Sequence, residues 1–207
     1  MSSGIQYTTK PDWLSWDEIQ ECQFLAHASN RKNGLHMHCQ ELTGVELEQN
    51  IGDGVCFVAI KGRDVIGTCS VKIIGKLKRW SWWNKDNRCA YFCMDAVLPE
   101  YQGKHVYSEL QKMRYEYVRS HGLNVIEIDT AEYNINMLSL LKRQGFQKVS
   151  FSAYKNCNYY SIILAKWIDS PPSRFVIFIR YALAYIITII IWKRSRITRF
   201  PFNLFMK

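Results

Sequence analysis

Residues 96–110 read AVLPEYQGKHVYSEL, and no other stretch constrains the fold as tightly. An apolar strand over residues 91–97 runs into Pro99. A polar turn with one glycine follows at Gln102-Gly103-Lys104, and a helix opens near Val106. Strand, turn and helix N-terminus in that order form a cradle for phosphate. The N–H groups of the turn converge, and the positive end of the helix dipole adds to them. The plainer alternative is a junction of the same shape that binds nothing.

The rest of the chain supplies the elements around this turn. Ser15 and Glu18 form a capping box ahead of Trp16, Ile19, Cys22, Phe24, Leu25 and Ala26, a pattern that predicts a helix over 16–30. A second short helix is expected over 44–51. Two β-rich runs, 55–61 and 65–74, are joined by the hairpin signal Gly62-Arg63-Asp64. Strands over 89–97, 124–130, 146–154 and 159–167 and helices over 106–120 and 134–144 complete the series. Gly122 and Gly145 stand where C-terminal cap glycines belong. This order predicts an α/β (α+β) domain with a mixed, mostly antiparallel central sheet and helices on both faces. A length of 207 residues suits one such domain plus an appendage.

In this setting Pro99-Glu100-Tyr101-Gln102-Gly103-Lys104 resembles motif A of the GNAT acyltransferase superfamily. That motif reads Gln/Arg-x-x-Gly-x-Gly/Ala and holds the pyrophosphate of coenzyme A. His105 and Tyr107 fill the pattern's small positions, so His105 either turns aside or donates to the phosphate. Residues 134–146, NINMLSLLKRQGF, resemble the family's Asn-x-x-Ala-x-x-Leu-Tyr-x-x-x-Gly-Phe helix. Residues 160–166, YSIILAK, look like its closing strand. The resemblance covers residues 12–168, with the family's first strand weak or missing. It implies an enzyme of the EC 2.3.1 class that uses acetyl-CoA, or another acyl-CoA, as cosubstrate and needs no metal. An amine acceptor attacks the thioester directly, and the protein positions, removes a proton and supports the oxyanion.

Carried over position by position, the resemblance sets the backbone of Asp95, Ala96, Val97 and Leu98 along the pantetheine arm. Gln102, Gly103, Lys104, His105, Val106 and Tyr107 would meet the pyrophosphate. Asn134 matches a family position that binds cofactor or water, its other reading being a helix N-cap. Asp95 is the leading candidate base, a carboxylate in an apolar strand whose pKa burial would raise. Its other reading is a hydrogen-bonded strand-end Asp. Cys93, two residues back, is expected to share its face. Leu141 stands where the family carries a Tyr general acid. Tyr154 is the candidate in its place, with Tyr133 and Tyr159 as neighbours. Glu127 and Asp129 share a face of their strand and are expected to pair with a Lys or Arg.

Cysteines 22, 39, 56, 69, 89, 93 and 157 form no CxxC pair, and the polar opening MSSGIQYTTKPDW carries no signal sequence. Reduced core thiols on the cytoplasmic side are expected. His36, His38 and Cys39 lack a second ligand pair at a standard spacing, so no metal is expected. Trp80, Trp82 and Trp83 lie among Lys76, Lys78, Arg79, Lys85 and Arg88. This run reads as an acceptor lid, a membrane-interface belt or a hairpin tip folded on the core; it is short for a nucleic-acid surface.

The net charge of +9 belongs mostly to the tail. Residues 174–207 hold seven of the 27 Lys and Arg and no Asp or Glu. The body is therefore near balance, and its basic pI argues for no nucleic-acid partner. The reading divides the chain into a catalytic domain 1–168, a linker 169–173 (DSPPS) and an attachment segment 174–207. Residues 175–192, FVIFIRYALAYIITIIIW, predict a hydrophobic helix about 27 Å long, interrupted by Arg180 and Thr188. Lys193, Arg194, Arg196 and Arg199 follow. A span would export these cations against the positive-inside tendency, so monotopic or re-entrant attachment to the inner face of a membrane is preferred. A single C-terminal span and a homodimer interface are the alternatives. The expected acceptor is a small-molecule amine, with the anchor and the tryptophans favouring an amino sugar or another membrane-linked substrate. A protein or peptide amine, or a non-catalytic acyl-CoA-binding module docked on a membrane complex, stays open beside it.

Overall fold

The computed structural model describes residues 4–35, 42–74, 89–153, 157–169 and 171–198, with the side chains of the last helix to 190. They fall into two compact units, Met1–Ile126 and Glu127–Lys207.

The first unit holds β1 (Ile5–Thr9), α1 (Trp16–Ala26), α2 (Ala28–Lys32), α3 (Gly44–Ile51), β2 (Val55–Lys61), β3 (Asp64–Ile74), β4 (Cys89–Val97) and α4 (Val106–Ser120). The four strands lie side by side in chain order, each antiparallel to the next. The opening strand, expected to be weak or missing, is present: β1 pairs with β2 from Ile5↔Lys61 to Thr9↔Phe57. Its residues IQYTT are half-buried or exposed throughout, which left no apolar run to read. The foreseen capping box opens α1, with Glu18 N–H donating to Ser15 Oγ at 3.2 Å and Ser15 N–H to Glu18 Oε2 at 2.8 Å. The helix stops at Ala26 rather than at 30; His27 breaks it and α2 follows. Gly62, at φ 66°, takes the first central position of the β2–β3 hairpin, where Lys61 opposes Asp64.

Strand alternation sends β2 side chains to two layers. Cys56, Val58 and Ile60 pack with Val65 under Leu14, Ile19, Cys22, Leu47 and Ile51 of the α1–α3 side. Phe57 points the other way and meets the Tyr117 ring of α4 edge-on at 6.1 Å. On that side α4 lies close to β3. A Cβ on Gly67 would come within 3.0 Å of Val106 Cγ1 and 3.3 Å of Leu110 Cδ1. The missing side chain of Gly67 therefore sets how near the start of α4 comes to the strands.

The second unit holds β5 (Val125–Ala131), which begins at its boundary, α5 (Ile135–Arg143), β6 (Gln147–Ala153), β7 (Tyr160–Trp167) and α6 (Arg174–Thr198). β7 lies between β5 and β6 and runs antiparallel to β6. α6 docks on β6: Thr188 Oγ1 donates to Phe151 O at 2.9 Å, and the Phe151 ring meets Tyr181 and Tyr185. Arg180, the charge that interrupts the apolar run, is buried. Burial lowers its pKa to about 10, and the charge of Glu127 pulls it back up.

Among the described residues no helix is long and apolar enough to cross a membrane. The single C-terminal span is therefore not borne out, and the physical reason is visible in α6. One side of that helix is engaged with β6 and carries a buried arginine.

Candidate active site

Ahead of α4 the chain makes a short 3-10 turn over Pro99–Tyr101, with Tyr101 N–H donating to Leu98 O at 2.9 Å and Gln102 N–H to Pro99 O at 3.2 Å. Gly103 and His105 both take left-handed backbone, at φ 73° and 64°. That conformation costs a residue with a Cβ about 1–2 kcal/mol. It accounts for a glycine at position 105, the first of the pattern's two small positions; the second, Tyr107, lies inside α4. His105 meets the demand by leaving its ring in solvent. It forms the N-cap of α4 without any side-chain bond to the first turn. The helices α1, α3 and α5 are instead capped by Ser15, Thr43 and Asn134 side chains. A helix start not closed by its own cap presents its first N–H groups, which have no intrahelical acceptor, to an outside anion. Lys61 and Lys104 sit over the Tyr101 ring at 5.3 and 5.5 Å, which puts two cations beside this turn. Lys61 was not foreseen.

Tyr107, expected at the pyrophosphate, turns its ring inward instead. Its hydroxyl donates to Asp95 Oδ2 at 3.4 Å and accepts from Gln111 Nε2. Its backbone N–H lies in the first turn of α4. Asp95 lies at the centre of this buried group. Arg114 Nη1 reaches Asp95 Oδ1 at 2.5 Å and Nη2 reaches Oδ2 at 3.2 Å. The Arg114 side chain is fully buried, with its guanidinium 4.3 Å from the Phe92 ring. Burial pushes the Asp95 carboxyl above the ordinary range, against the opposing pull of Arg114 and the Tyr107 hydroxyl. Both carboxylate oxygens are thus engaged by α4. The hydrogen-bonded reading of Asp95 describes this geometry better than that of a free base.

β4 is bulged beside Asp95. Ser70 opposes Cys93 and Thr68 opposes Ala96, so Met94 and Asp95 together face Cys69 alone. Met94 sits at φ 59° to accommodate the extra residue. The expectation that Cys93 and Asp95 share a face therefore fails. Cys93 stays with Ser70 on the α1 side, whereas Asp95 turns toward α4. Cys93 is a poor nucleophile there, since burial pushes its thiol up to about 12. The backbone of the bulge is held at two carbonyls. Thr68 Oγ1 donates to Met94 O at 2.9 Å, and His27 Nε2 lies 3.2 Å from Asp95 O. Further along, Leu98 N–H is spent on Ile66 O at 3.0 Å, so Leu98 cannot offer that donor to a pantetheine amide. Val97 O accepts from Gln102 Nε2 at 3.1 Å, which ties the strand end to the turn.

The structure thus gathers Asp95, Ala96, Val97 and residues 102–107 along one strand–turn–helix path in the first unit. In the second unit, Asn134 Oδ1 accepts from Met137 N–H at 3.2 Å as the cap of α5, its helix-cap reading. Leu141 is fully buried. Tyr154, the tryptophan run 76–88 and the His36, His38, Cys39 cluster lie outside the described residues. Arg114 was legible in principle. With Val106, Leu110 and Val118 it occupies the buried stripe of α4, where a charge needs an acid opposite. Thr68, His27 and Gln23 carried no such signal. Gln23 is completely buried, with no partner for either amide atom among the described residues.

A family model described as the acetyltransferase (GNAT) family matches residues 13–146. No curated protein matches the chain. Solved structures do. Arabidopsis thaliana NAA60 in complex with a bisubstrate analogue is similar at TM-score 0.61 and 16% identity, over 81% of this chain and 99% of that one. The ribosomal-protein-S18-alanine N-acetyltransferase from Escherichia coli gives 0.56 and 12%, over 82% and 97%. A GNAT family acetyltransferase from Elizabethkingia anophelis with acetyl-CoA bound gives 0.55 and 14%, over 81% and 100%.

Proposed function

Since the chain belongs to the acetyltransferase (GNAT) family and is an acyltransferase by that membership, we propose that it moves an acetyl group from acetyl-CoA to the amine of a protein or peptide. The observation that carries this reading is the open N-terminus of α4 behind two left-handed turn residues, joined directly to the bulged end of β4. In this reading the pyrophosphate lies on the N–H groups of residues 103–107, between Lys61 and Lys104. The thioester carbonyl lies beside the bulge. The acceptor amine attacks that carbonyl, a main-chain N–H supports the oxyanion, the carbon–sulfur bond breaks to release coenzyme A, and the new amide nitrogen gives its extra proton to solvent water. Asp95 anchors the bulge rather than taking the proton. Tyr154 is the proposed donor to the departing thiolate. A protein acceptor is favoured because the E. coli neighbour acts on a ribosomal protein's alanine.

The same proposal lays α6 on the cytoplasmic face of a membrane without crossing it. Ile177, Arg180 and Ala184 face inward, while Phe175, Phe178, Ile179, Leu183, Ile186 and Ile190 form an exposed stripe at helical spacing. A continuous apolar stripe followed in sequence by Lys193, Arg194, Arg196 and Arg199 suits an anionic lipid surface.

Thiol release from acetyl-CoA tests the enzymatic part. Peptides with free α-amino groups are expected to be acetylated and amino sugars not. Coenzyme A binding without turnover on any amine would contradict the reading. Co-sedimentation with phosphatidylserine vesicles tests the membrane part, and a chain left wholly in the supernatant would refute it.

A further inference from the structure

We propose that His27 and Thr68 are positioning residues that fix the two peptide planes on either side of Asp95. The inference rests on the acetyl-transfer reading above. A bulge is a weak point in a strand, because the extra residue leaves the ladder and its peptide planes lose their cross-strand partners. Here both planes are held by side chains. Thr68, fully buried on β3, donates its hydroxyl to Met94 O. A trans peptide points its C=O and N–H in opposite directions, and no cis bond is present among the described residues. Holding Met94 O toward β3 therefore aims Asp95 N–H away from β3. His27 takes the next plane by its carbonyl, Asp95 O.

The chemistry of His27 fits a fixed donor. Asp95 O can only accept, so Nε2 carries the proton. Asn30 Nδ2 lies 3.3 Å from Nδ1 and donates to it, which selects that tautomer. Burial also lowers the His27 pKa and keeps the ring neutral. The break between α1 and α2 falls at His27 itself, and this is what turns the ring toward β4. The carboxylate of Asp95 is meanwhile tied to α4 through Arg114. The residue beside the reacting carbonyl is thus gripped by β3, the α1–α2 corner and α4. Neither His27 nor Thr68 touches substrate; each acts through the backbone.

The full-length chain is compared with His27→Ala, His27→Gln and Thr68→Val. The readouts are acetyl transfer to the fastest peptide found, acetyl-CoA affinity and hydrogen exchange over residues 93–97. Expected is a fall in kcat of roughly tenfold for His27→Ala and Thr68→Val, the scale of a small misplacement of a reacting group. Acetyl-CoA affinity should stay within about twofold, because the phosphate turn is untouched. Gln keeps an N–H near the position of Nε2, so His27→Gln should recover most of the lost kcat. Exchange over the bulge should quicken in His27→Ala and return toward wild type in His27→Gln. Unchanged kcat and unchanged exchange in His27→Ala overturn the proposal, as does an equal loss in His27→Gln. Wild-type protein that acetylates no amine sinks the acetyl-transfer reading itself. Active wild type matched by His27→Ala sinks only this inference.

Discussion

Replacing Arg114 by Met is the sharpest perturbation of the buried group under α4. The side chain is fully buried and its partner Asp95 keeps 18% of its side-chain surface exposed. Methionine fills much of the volume but leaves the carboxylate without a counter-charge. Breaking a buried pair from one side costs about 3–5 kcal/mol. The residual exposure of Asp95 lets water relieve part of this, so the lower figure of about 3 kcal/mol applies. For a chain of this size that is a fall in Tm of about 6–12 °C. The pH dependence fixes the mechanism. Burial already raises the folded pKa of Asp95, and removing the opposing pull of Arg114 raises it further. A carboxyl with a folded pKa above its unfolded value is stabilised when protonated and loses that stability as pH rises through the folded value. The gap between Arg114→Met and wild type should therefore be widest near neutral pH and narrow as pH falls through the raised Asp95 pKa. Asp95→Asn combined with Arg114→Met should be less damaging than Arg114→Met alone. Urea denaturation at a series of pH values measures all three. A gap that stays constant or widens toward acid would refute the reasoning, because the cost would then come from packing and not from a stranded charge.

Other outcomes follow from the same geometry. His105→Gly should stabilise the protein by about 0.5–1 kcal/mol in urea, since the left-handed backbone no longer carries a Cβ; a destabilised variant would contradict the observed φ of 64°. Gly67→Ala should cost about 1–3 kcal/mol and weaken acetyl-CoA binding in calorimetry, because the new methyl pushes against Val106 and Leu110 at the start of α4. Phe178→Glu with Ile186→Glu should abolish vesicle co-sedimentation and leave peptide acetylation in solution unchanged, since both side chains face outward from α6.

Much of the fold was legible because its signals are local. The capping box at Ser15, the hairpin glycine at Gly62 and the strand–turn–helix at 96–110 each depend on a few adjacent residues, and each stands where those residues put it. β1 was hidden because a short polar strand owes its existence to the backbone donors and acceptors of β2, not to its own side chains. The shape of the turn after β4 could be read for the same local reason as the hairpin. The bulge could not. One extra residue in β4 inverts the side on which Asp95 points, and alternation along the strand gives no warning of it. That inversion joined Asp95 to Arg114, carried Tyr107 under the turn and brought His27 and Thr68 to the backbone. These contacts join residues 12 to 68 positions apart, and nothing in their neighbours announces them. The tail shows the converse. Its apolar composition was plain, but the side of α6 spent on β6 depends on a sheet partner that only the fold supplies.

Isothermal titration of the full-length chain with acetyl-CoA, beside Gly103→Val checked for folding by circular dichroism, tests the central claim most directly. A β-branched side chain at the left-handed position should spoil the turn without reaching the strands. Saturable heat from wild type and affinity at least roughly tenfold weaker in Gly103→Val are predicted. Absence of heat from wild type, or equal affinity in the two proteins, would contradict a phosphate held by the backbone of residues 103–107.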